Sequence, residues 1–373
     1  MIALCSCMKP DRDEIIRRAG LVLSNANEAG FSRKKGPAKK GPKGKPVLNW
    51  HYLDIEGNRI KDKDEIARMN ALAIPPAWSN VWICSDQRGN LQAVGQDAKG
   101  RKQYRYHSDW TKTVGEIKFD SILGFAKSLP AIRAAVKRDL ELDGMPKAKV
   151  VALVIWLMNM YSIRVGSDEY AQKNQTYGLS TLTEGHFTTI TGSDAEGDLD
   201  IKLRFTGKSG KPWKRTVEDD DICRMIIASG EVGGKHKDQD LFMFENENGE
   251  AKDLKAEHIN EYLNEASGGS YTAKDFRTWR ASWNAAAGFA EFDTPETTKD
   301  RKKLEQVVVS AVSDHLGNTP AVCRSSYIHP AVIQDWMDGV FEERWMKSAI
   351  NAKKIRGLTK SEYITLAYLE TRK

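Results

Sequence analysis

The stretch "VVALVIWLM", Val150 to Met158, constrains the fold more than any other in this chain. No polar residue interrupts it, so a helix through it has no face to offer water and must be enclosed by other elements. It falls far short of the roughly 20 apolar residues that cross a bilayer, so the enclosure is a protein core. With 373 residues the chain exceeds the usual single-domain size, and two domains with appendages are expected.

Patterning places that helix inside a larger helical region. Helical periodicity runs through "SILGFAKSLPAIRAAVKRDLEL" and "MPKAKVVALVIWLMNMYSIRVGSDEYAQ", and resumes in "LKAEHINEYLNEAS", "AKDFRTWRASWNAAAGFAEF" and "DRKKLEQVVVSAVSDHLG". Residues 185–217 interrupt it with "HFTTITG", "LDIKLRF" and "WKRTVED", read as two or three strands joined by tight glycine turns. Upstream, from Val47 to about Trp110, short segments such as "WHYLDIEGNRI" and "NVWICSD" alternate with Gly and Asn turns and predict a β-rich module. The expected fold class is α+β: a small β-rich N-terminal domain and a larger, mainly α-helical domain carrying a β hairpin. The boundaries read as 1–46 for an N-terminal helix ("DRDEIIRRAGLVLSNANEAG") and basic tether, 47–112 for the β-rich domain, 113–332 for the helical domain and 333–373 for a helical extension.

Five scattered cysteines with no CxxC pair favour neither a disulfide framework nor a zinc site. The opening "MIALCSCMKPDRDE" has too short an apolar run for a secretory signal, so a soluble protein of the reducing cytoplasm, with no membrane partner, is expected. The net charge of +6 says little by itself. Its distribution says more: "RKKGPAKKGPKGK", Arg33 to Lys45, is rich in Lys and Arg, holds no acid and is broken by Gly and Pro. It reads as a flexible cationic tether suited to a polyanion such as DNA or RNA, or as a solubilising linker.

Missing motifs narrow the chemistry. There is no GxxxxGK[ST] loop, since the "GKS" at Gly207–Ser209 lacks the earlier glycine, no HExxH, and no metal-spaced Cys/His set. Neither a nucleotide cofactor nor a catalytic metal is expected. Phosphate chemistry would then fall to cations and hydrogen-bond donors. Arg164, directly after the buried helix, is placed to fork a phosphate; its alternative is an ion pair with Asp168 or Glu169. Lys208, in "FTGKSGK" at the tip of a hairpin, could donate a proton or be a solvated turn lysine. Lys274 and Arg277, at i and i+3 near a helix N-terminus, suit an anion or form a solvated face. "KGRKQYRYH" alternates cations with Tyr104 and Tyr106, a pattern for phosphate and base contact or for a half-buried strand.

In order, "RVGSDEYAQKNQTYGLSTL", "FTGKSGK", "TAKDFRTWRAS" and "HLGNTPAVCRSSYIHPAV", with "IPPAWSNVWIC" and "DAKGRKQYRYH" upstream, resemble the type IB DNA topoisomerases, most nearly their compact poxvirus-like bacterial branch. The resemblance runs from about Tyr52 to Val332. It implies a clamp around duplex DNA, preferably supercoiled, and a monomer associated with the nucleoid. It also implies relaxation of both supercoil signs through transient single-strand cleavage, a 3′-phosphotyrosyl intermediate, strand rotation and religation, without ATP or a metal. Carried over, it makes Tyr327 the nucleophile, Arg164 and Arg277 the phosphate clamps, and Lys208 the general acid. A family position often held by histidine falls on Asn318, which can donate a hydrogen bond but carries no charge; His315, three residues earlier, is not that position. Lys99, Arg101, Lys102, Gln103, Tyr104, Tyr106 and Lys274 become DNA contacts.

The set is chemically coherent. A tyrosine oxygen attacking a phosphodiester in line loads charge onto the non-bridging oxygens, and the 5′ alcohol leaves poorly without a proton. Tyrosine recombinases share this chemistry but typically carry HxxR where this chain has Lys274-Asp-Phe-Arg277. A catalytically silent DNA-binding protein of the same fold is the remaining alternative. Pro330 sets the start of a helix, leaving Tyr327 on a segment able to enter the pocket when DNA binds.

Overall fold

The computed structural model describes residues 11–37, 39–40, 46–47, 49–191, 199–234 and 236–372. They divide into two compact units, Lys9–Lys118 and Phe119–Lys373.

In the N-terminal unit, α1 (Arg12–Ala19) starts where the Asp11 carboxylate accepts the Glu14 N–H and ends at Gly20 in the left-handed region. The strands are β1 (Phe31–Lys35), β2 (Lys39–Lys40), β3 (Pro46–Val47), β4 (Trp50–Leu53), β5 (Ser79–Ile83), β6 (Leu91–Gln96) and β7 (Lys102–Tyr106). β2 pairs with β3, and the other five form an antiparallel sheet in the order β4-β1-β5-β6-β7. A helix absent from the sequence reading, α2 (Lys63–Ala71), is capped by Asp62 and contributes Met69 to a core with Tyr52, Ile74, Val81, Ile83 and Ala93.

The expected tether is corrected here. Arg33–Lys35 belong to β1, hydrogen-bonded between β4 and β5, and are not a loose arm. The Arg33 guanidinium donates to the carbonyls of Ile74 at 2.9 Å and Pro75 at 2.5 Å and lies over the Trp50 ring at 3.9 Å. A cation whose terminal nitrogens are held by main-chain carbonyls and whose plane lies on an aromatic face can belong to a sheet, whatever its composition suggests. Ala38 and Gly41–Lys45 of the same run lie outside the described residues. The expected division at 112/113 also differs from the structure, because α3 (Ser108–Leu140) runs continuously through it and contains the transition between the two units.

In the second unit α4 (Lys147–Tyr161) is the enclosed helix that its sequence demanded. Val150 through Ile155, Leu157 and Met158 are all buried. After it come α5 (Asp168–Asn174), β8 (Phe187–Thr191), β9 (Leu199–Thr206), β10 (Pro212–Val217) and α6 (Asp220–Glu231). β8, β9 and β10 form the anticipated antiparallel sheet, in the order β10-β9-β8. A second small hairpin, β11 (Met243–Glu245) with β12 (Ala251–Asp253), was not read from the sequence. The chain continues through α7 (Ala256–Ser267), α8 (Ala273–Phe289), α9 (Thr298–Leu316), α10 (Pro320–Ser326), α11 (Pro330–Asp338), α12 (Phe341–Asn351) and α13 (Lys360–Glu370). α4 packs against α6, α7 and α8, which supply its enclosure.

The C-terminal segment shares this core, so the expected boundary at 332/333 falls inside α11. Trp336, Phe341, Trp345 and Tyr368 are buried with the rest. Two buried carboxylates tie α13 down. Glu362 takes both terminal nitrogens of Arg133, at 2.7 and 2.8 Å, and Asp335 takes the Tyr368 hydroxyl at 2.7 Å and Arg344 at 2.6 Å. A buried carboxylate is tolerated when it is saturated in this way.

Candidate active site

Tyr327 follows the last turn of α10, whose start is set by Thr319 accepting the Val322 N–H and by Pro320 at the first helical position. Pro330 opens α11, as expected. Between these helices the backbone is pinned by a buried serine: Ser282 Oγ accepts the His329 N–H at 3.0 Å and shares its one proton between the carbonyls of Thr278 at 2.8 Å and Tyr327 at 3.2 Å. The phenol lines a cavity of about 450 Å³.

Arg277 lies on α8, whose first turn is fixed by a reciprocal cap between Thr272 and Asp275. It is 4% exposed. Nη1 donates to the Ser162 carbonyl and Nη2 to that of Leu316 at 2.7 Å, while the guanidinium carbon stands 5.3 Å from the centre of the Tyr327 ring. Ser162 ends α4 in the left-handed region (φ 56°), which turns its carbonyl out of the helix. Burial, reinforced by the charge of Arg164, pulls the Arg277 pKa down to about 10, which leaves it charged at neutral pH. Burial by itself would raise the Tyr327 phenol. The charges of Arg277 and Arg164, a hydrogen bond from Arg277 and the charge of Lys274 outweigh it and hold the phenol below its ordinary value.

Arg164 also lines the cavity, on the extended segment after α4. Its carbonyl accepts the Leu179 N–H at 2.8 Å, and a Cβ on Gly178 would stand 2.5 Å from that oxygen, so only glycine permits this approach. Its side chain donates to Asn318 Oδ1. The alternative partners are taken elsewhere: Asp168 pairs with Lys255 and Glu169 with Lys173. Asn318 does not itself line the cavity; it is buried, with its main-chain carbonyl accepting Lys211 Nζ at 2.5 Å and its Nδ2 without a partner among the described residues. A buried unmatched donor is costly unless something arrives to accept from it.

Lys208 sits in the turn between β9 and β10, exposed, at the wall of the same cavity. Lys274, also exposed, and Tyr170 and Tyr177 complete the rim. His315 does not line the cavity. Its Nε2 accepts from Arg280 at 3.2 Å, and burial together with Arg280, Arg215 and Arg277 pushes its pKa down to about 4, leaving it neutral.

The remaining candidates lie on the edge strand β7 of the N-terminal unit and in the turn before it. Tyr104 and Tyr106 are 48% and 45% exposed and stack at 6.2 Å, and Tyr106 stacks on Trp110 at 6.1 Å, so the tyrosines do not face the core. Lys99 and Lys102 are exposed, whereas Arg101 and Gln103 both bond to Asp97, at 2.8 and 3.0 Å. The Arg101 side chain and several N–H donors of the turn hold the Asp97 carboxyl down at about 2.

A family profile described as the catalytic core of eukaryotic DNA topoisomerase I matches residues 102–354, and one described as the N-terminal domain of bacterial DNA topoisomerase IB matches residues 49–97. The chain is 32% identical to the DNA topoisomerase 1B of Acanthamoeba polyphaga mimivirus over 282 residues, covering 75% of this chain and 81% of that protein. The chain belongs to the type IB DNA topoisomerases. It is therefore an ATP-independent isomerase acting on DNA. More distant relatives are DNA topoisomerase I of Monkeypox virus and DNA topoisomerase 1B of Vaccinia virus (strain Copenhagen), each 18% identical over 243 residues, with 65% of this chain and 71% of each relative covered.

Sequence reasoning about this enzyme missed Ser282, Lys211 and Trp213. Only Lys211 carried a signal, as the second lysine of "GKSGK"; Ser282 acts through hydrogen bonds to the Tyr327–His329 backbone and Trp213 by packing on Gly317, and neither leaves a local pattern. Among the described residues, no group of three or more His, Cys, Asp or Glu is arranged to hold a metal ion, and none of the described helices is long and apolar enough to cross a membrane.

Proposed function

We propose that the enzyme relaxes positive and negative supercoils by transient cleavage of one strand through a 3′-phosphotyrosyl intermediate. The observation that carries this reading is the convergence of Arg164, Lys208, Arg277 and Tyr327, from four separate segments, on one cavity. The Tyr327 oxygen, its proton released to water under the charge of Arg277 and Arg164, attacks the phosphorus in line. The P–O bond to tyrosine forms as the P–O5′ bond breaks, and Lys208 gives its proton to the departing 5′ oxygen. Arg164 and Arg277 offset the charge that builds on the non-bridging oxygens, and the unmatched Nδ2 of Asn318 supplies a neutral donor to the same group. Because Arg277 is already anchored to two carbonyls, little of the clamp reorganises during the reaction.

The covalent link retains the energy of the cleaved bond. The free 5′ end rotates about the intact strand until torque is released, then attacks the phosphotyrosine in the reverse step, with Lys208 recovering its proton. Torque drives the rotation, so supercoiled duplex is the preferred substrate. Lys99, Lys102, Tyr104 and Tyr106 contact the duplex from the N-terminal unit, with Arg101 and Gln103 oriented by Asp97, and Lys274 contacts it at the cavity rim. We assign the enzyme to the nucleoid, as a monomer.

Incubation with supercoiled plasmid in EDTA without ATP tests this. The expected result is a ladder of relaxed topoisomers, lost in Tyr327→Phe, with denaturant trapping protein on the 3′ phosphate. Retained relaxation by Tyr327→Phe, or protein recovered on the 5′ end, overturns the mechanism.

A further inference from the structure

The turn that carries Lys208 is fastened to the rest of the site from its far side. Within the turn the Gly207 N–H donates to the Lys211 carbonyl at 2.8 Å and the Gly210 N–H to the Gly207 carbonyl at 3.1 Å, so Lys208 and Lys211 share one closed loop. Three contacts then join β10 and this loop to the end of α9. Lys211 Nζ donates to the Asn318 carbonyl at 2.5 Å, and Arg215 Nη2 to the His315 carbonyl at 3.2 Å. Trp213, buried and stacked on Phe205, packs on Gly317, where a Cβ would stand 2.5 Å from the indole. Gly317 closes α9 in the left-handed region (φ 61°), so only glycine meets both demands there. The segment so gripped also gives its Leu316 carbonyl to Arg277 and its Asn318 side chain to Arg164.

We propose that Lys211 is a positioning residue for the general acid: its ammonium latches the Gly207–Lys211 turn to the Asn318 carbonyl and holds Lys208 at the wall of the cavity that Tyr327 lines. The inference rests on the assignment of Lys208 as the acid. Trp213 and Arg215 fix the base of the hairpin. Lys211 makes the one contact among these three that comes from the loop itself. Without it the loop can lift away while the sheet stays docked. The chemical consequence is specific, because Lys211 meets the main chain of Asn318 and no side chain of the nucleophile or the clamps, so protonation of the leaving 5′ oxygen suffers most.

The full-length protein is used in single-turnover cleavage of a duplex oligonucleotide with a mapped cleavage site. A matched duplex carries sulfur in place of the bridging 5′ oxygen at that site. Sulfur departs as a thiolate, whose conjugate acid has a pKa of about 8.5, so it needs no acid. Lys211→Ala is expected to cleave the oxygen substrate at least about tenfold slower than the unmodified enzyme and the sulfur substrate at the same rate. The double variant Lys208→Ala/Lys211→Ala should be no slower on oxygen than Lys208→Ala, because the two residues act as a unit. Equal slowing of Lys211→Ala on both substrates, an undiminished rate on oxygen, or losses that multiply in the double variant each overturn the latch. If Lys208→Ala itself stays slow on sulfur, the acid assignment is wrong and the latch falls with it.

Discussion

In the cavity, Arg277 is 4% exposed and commits both terminal nitrogens to main-chain carbonyls; on β7, Tyr104 and Tyr106 are 48% and 45% exposed and stack on one another and toward Trp110. The first arrangement fixes a charge in position before any substrate arrives. The second keeps an aromatic surface rigid but open. Groups that stabilise a transition state gain from being held still and dry, because no reorganisation is then needed during reaction. Groups that bind a long polyanion need access, and their contribution is spread over many weak contacts.

The sharpest way to break this contrast is Arg277→Lys. An ammonium cannot reach both the Ser162 and Leu316 carbonyls while facing phosphate, so single-turnover cleavage should fall about a hundredfold or more, with plasmid binding by gel shift far less affected. A smaller loss in cleavage than in binding would place Arg277 with the open surface instead. Next in size is Asn318. Asn318→Ala removes a neutral donor and should slow cleavage about tenfold, the equivalent of one hydrogen bond. Asn318→Asp should be slower still, because a carboxylate in hydrogen-bond contact with Arg164 neutralises that clamp and repels the phosphate. If Asn318→Asp cleaves faster than Asn318→Ala, the side chain does not face the phosphate. The smallest effects belong to β7: Tyr104→Ala and Tyr106→Ala should each cost about 1 kcal/mol of DNA affinity, roughly fivefold, with most of the loss in affinity rather than in rate. A fluorescence anisotropy titration at fixed salt checks this, and unchanged affinity in the double variant would remove the strand from the DNA surface.

Legibility in the sequence followed the range of the interactions. The enclosure of α4 was legible because an all-apolar stretch has one physical solution. So was the start of α11, because Pro330 suits the first turn of a helix. Arg164, Lys208, Arg277 and Tyr327, which line one cavity, and Asn318, which bonds to Arg164 without lining it, stood out only as an ordered series of motifs, since each of Arg164, Lys208 and Arg277 taken singly also fitted a solvated or ion-paired role. The reading failed at β1, where a basic composition pointed to a loose arm; Arg33 is instead matched by carbonyls more than forty positions away. It failed again at α2, a helix within a stretch read as β-rich, and at 112/113, where a continuous helix crosses the expected boundary.

By itself the sequence determined the chemical inventory of this enzyme, the core helix and the caps that start its key helices, because those depend on residue type and on neighbours within a turn. Only the tertiary structure decided that Arg164 meets Asn318 rather than Asp168 or Glu169, that Arg277 is buried against two carbonyls, and that Lys211 reaches Asn318. The first and last of these pairs are separated by 154 and 107 positions. Contacts at that range leave no periodicity in the chain, and they exist only once the packing of α4, α8 and α9 has brought the segments together.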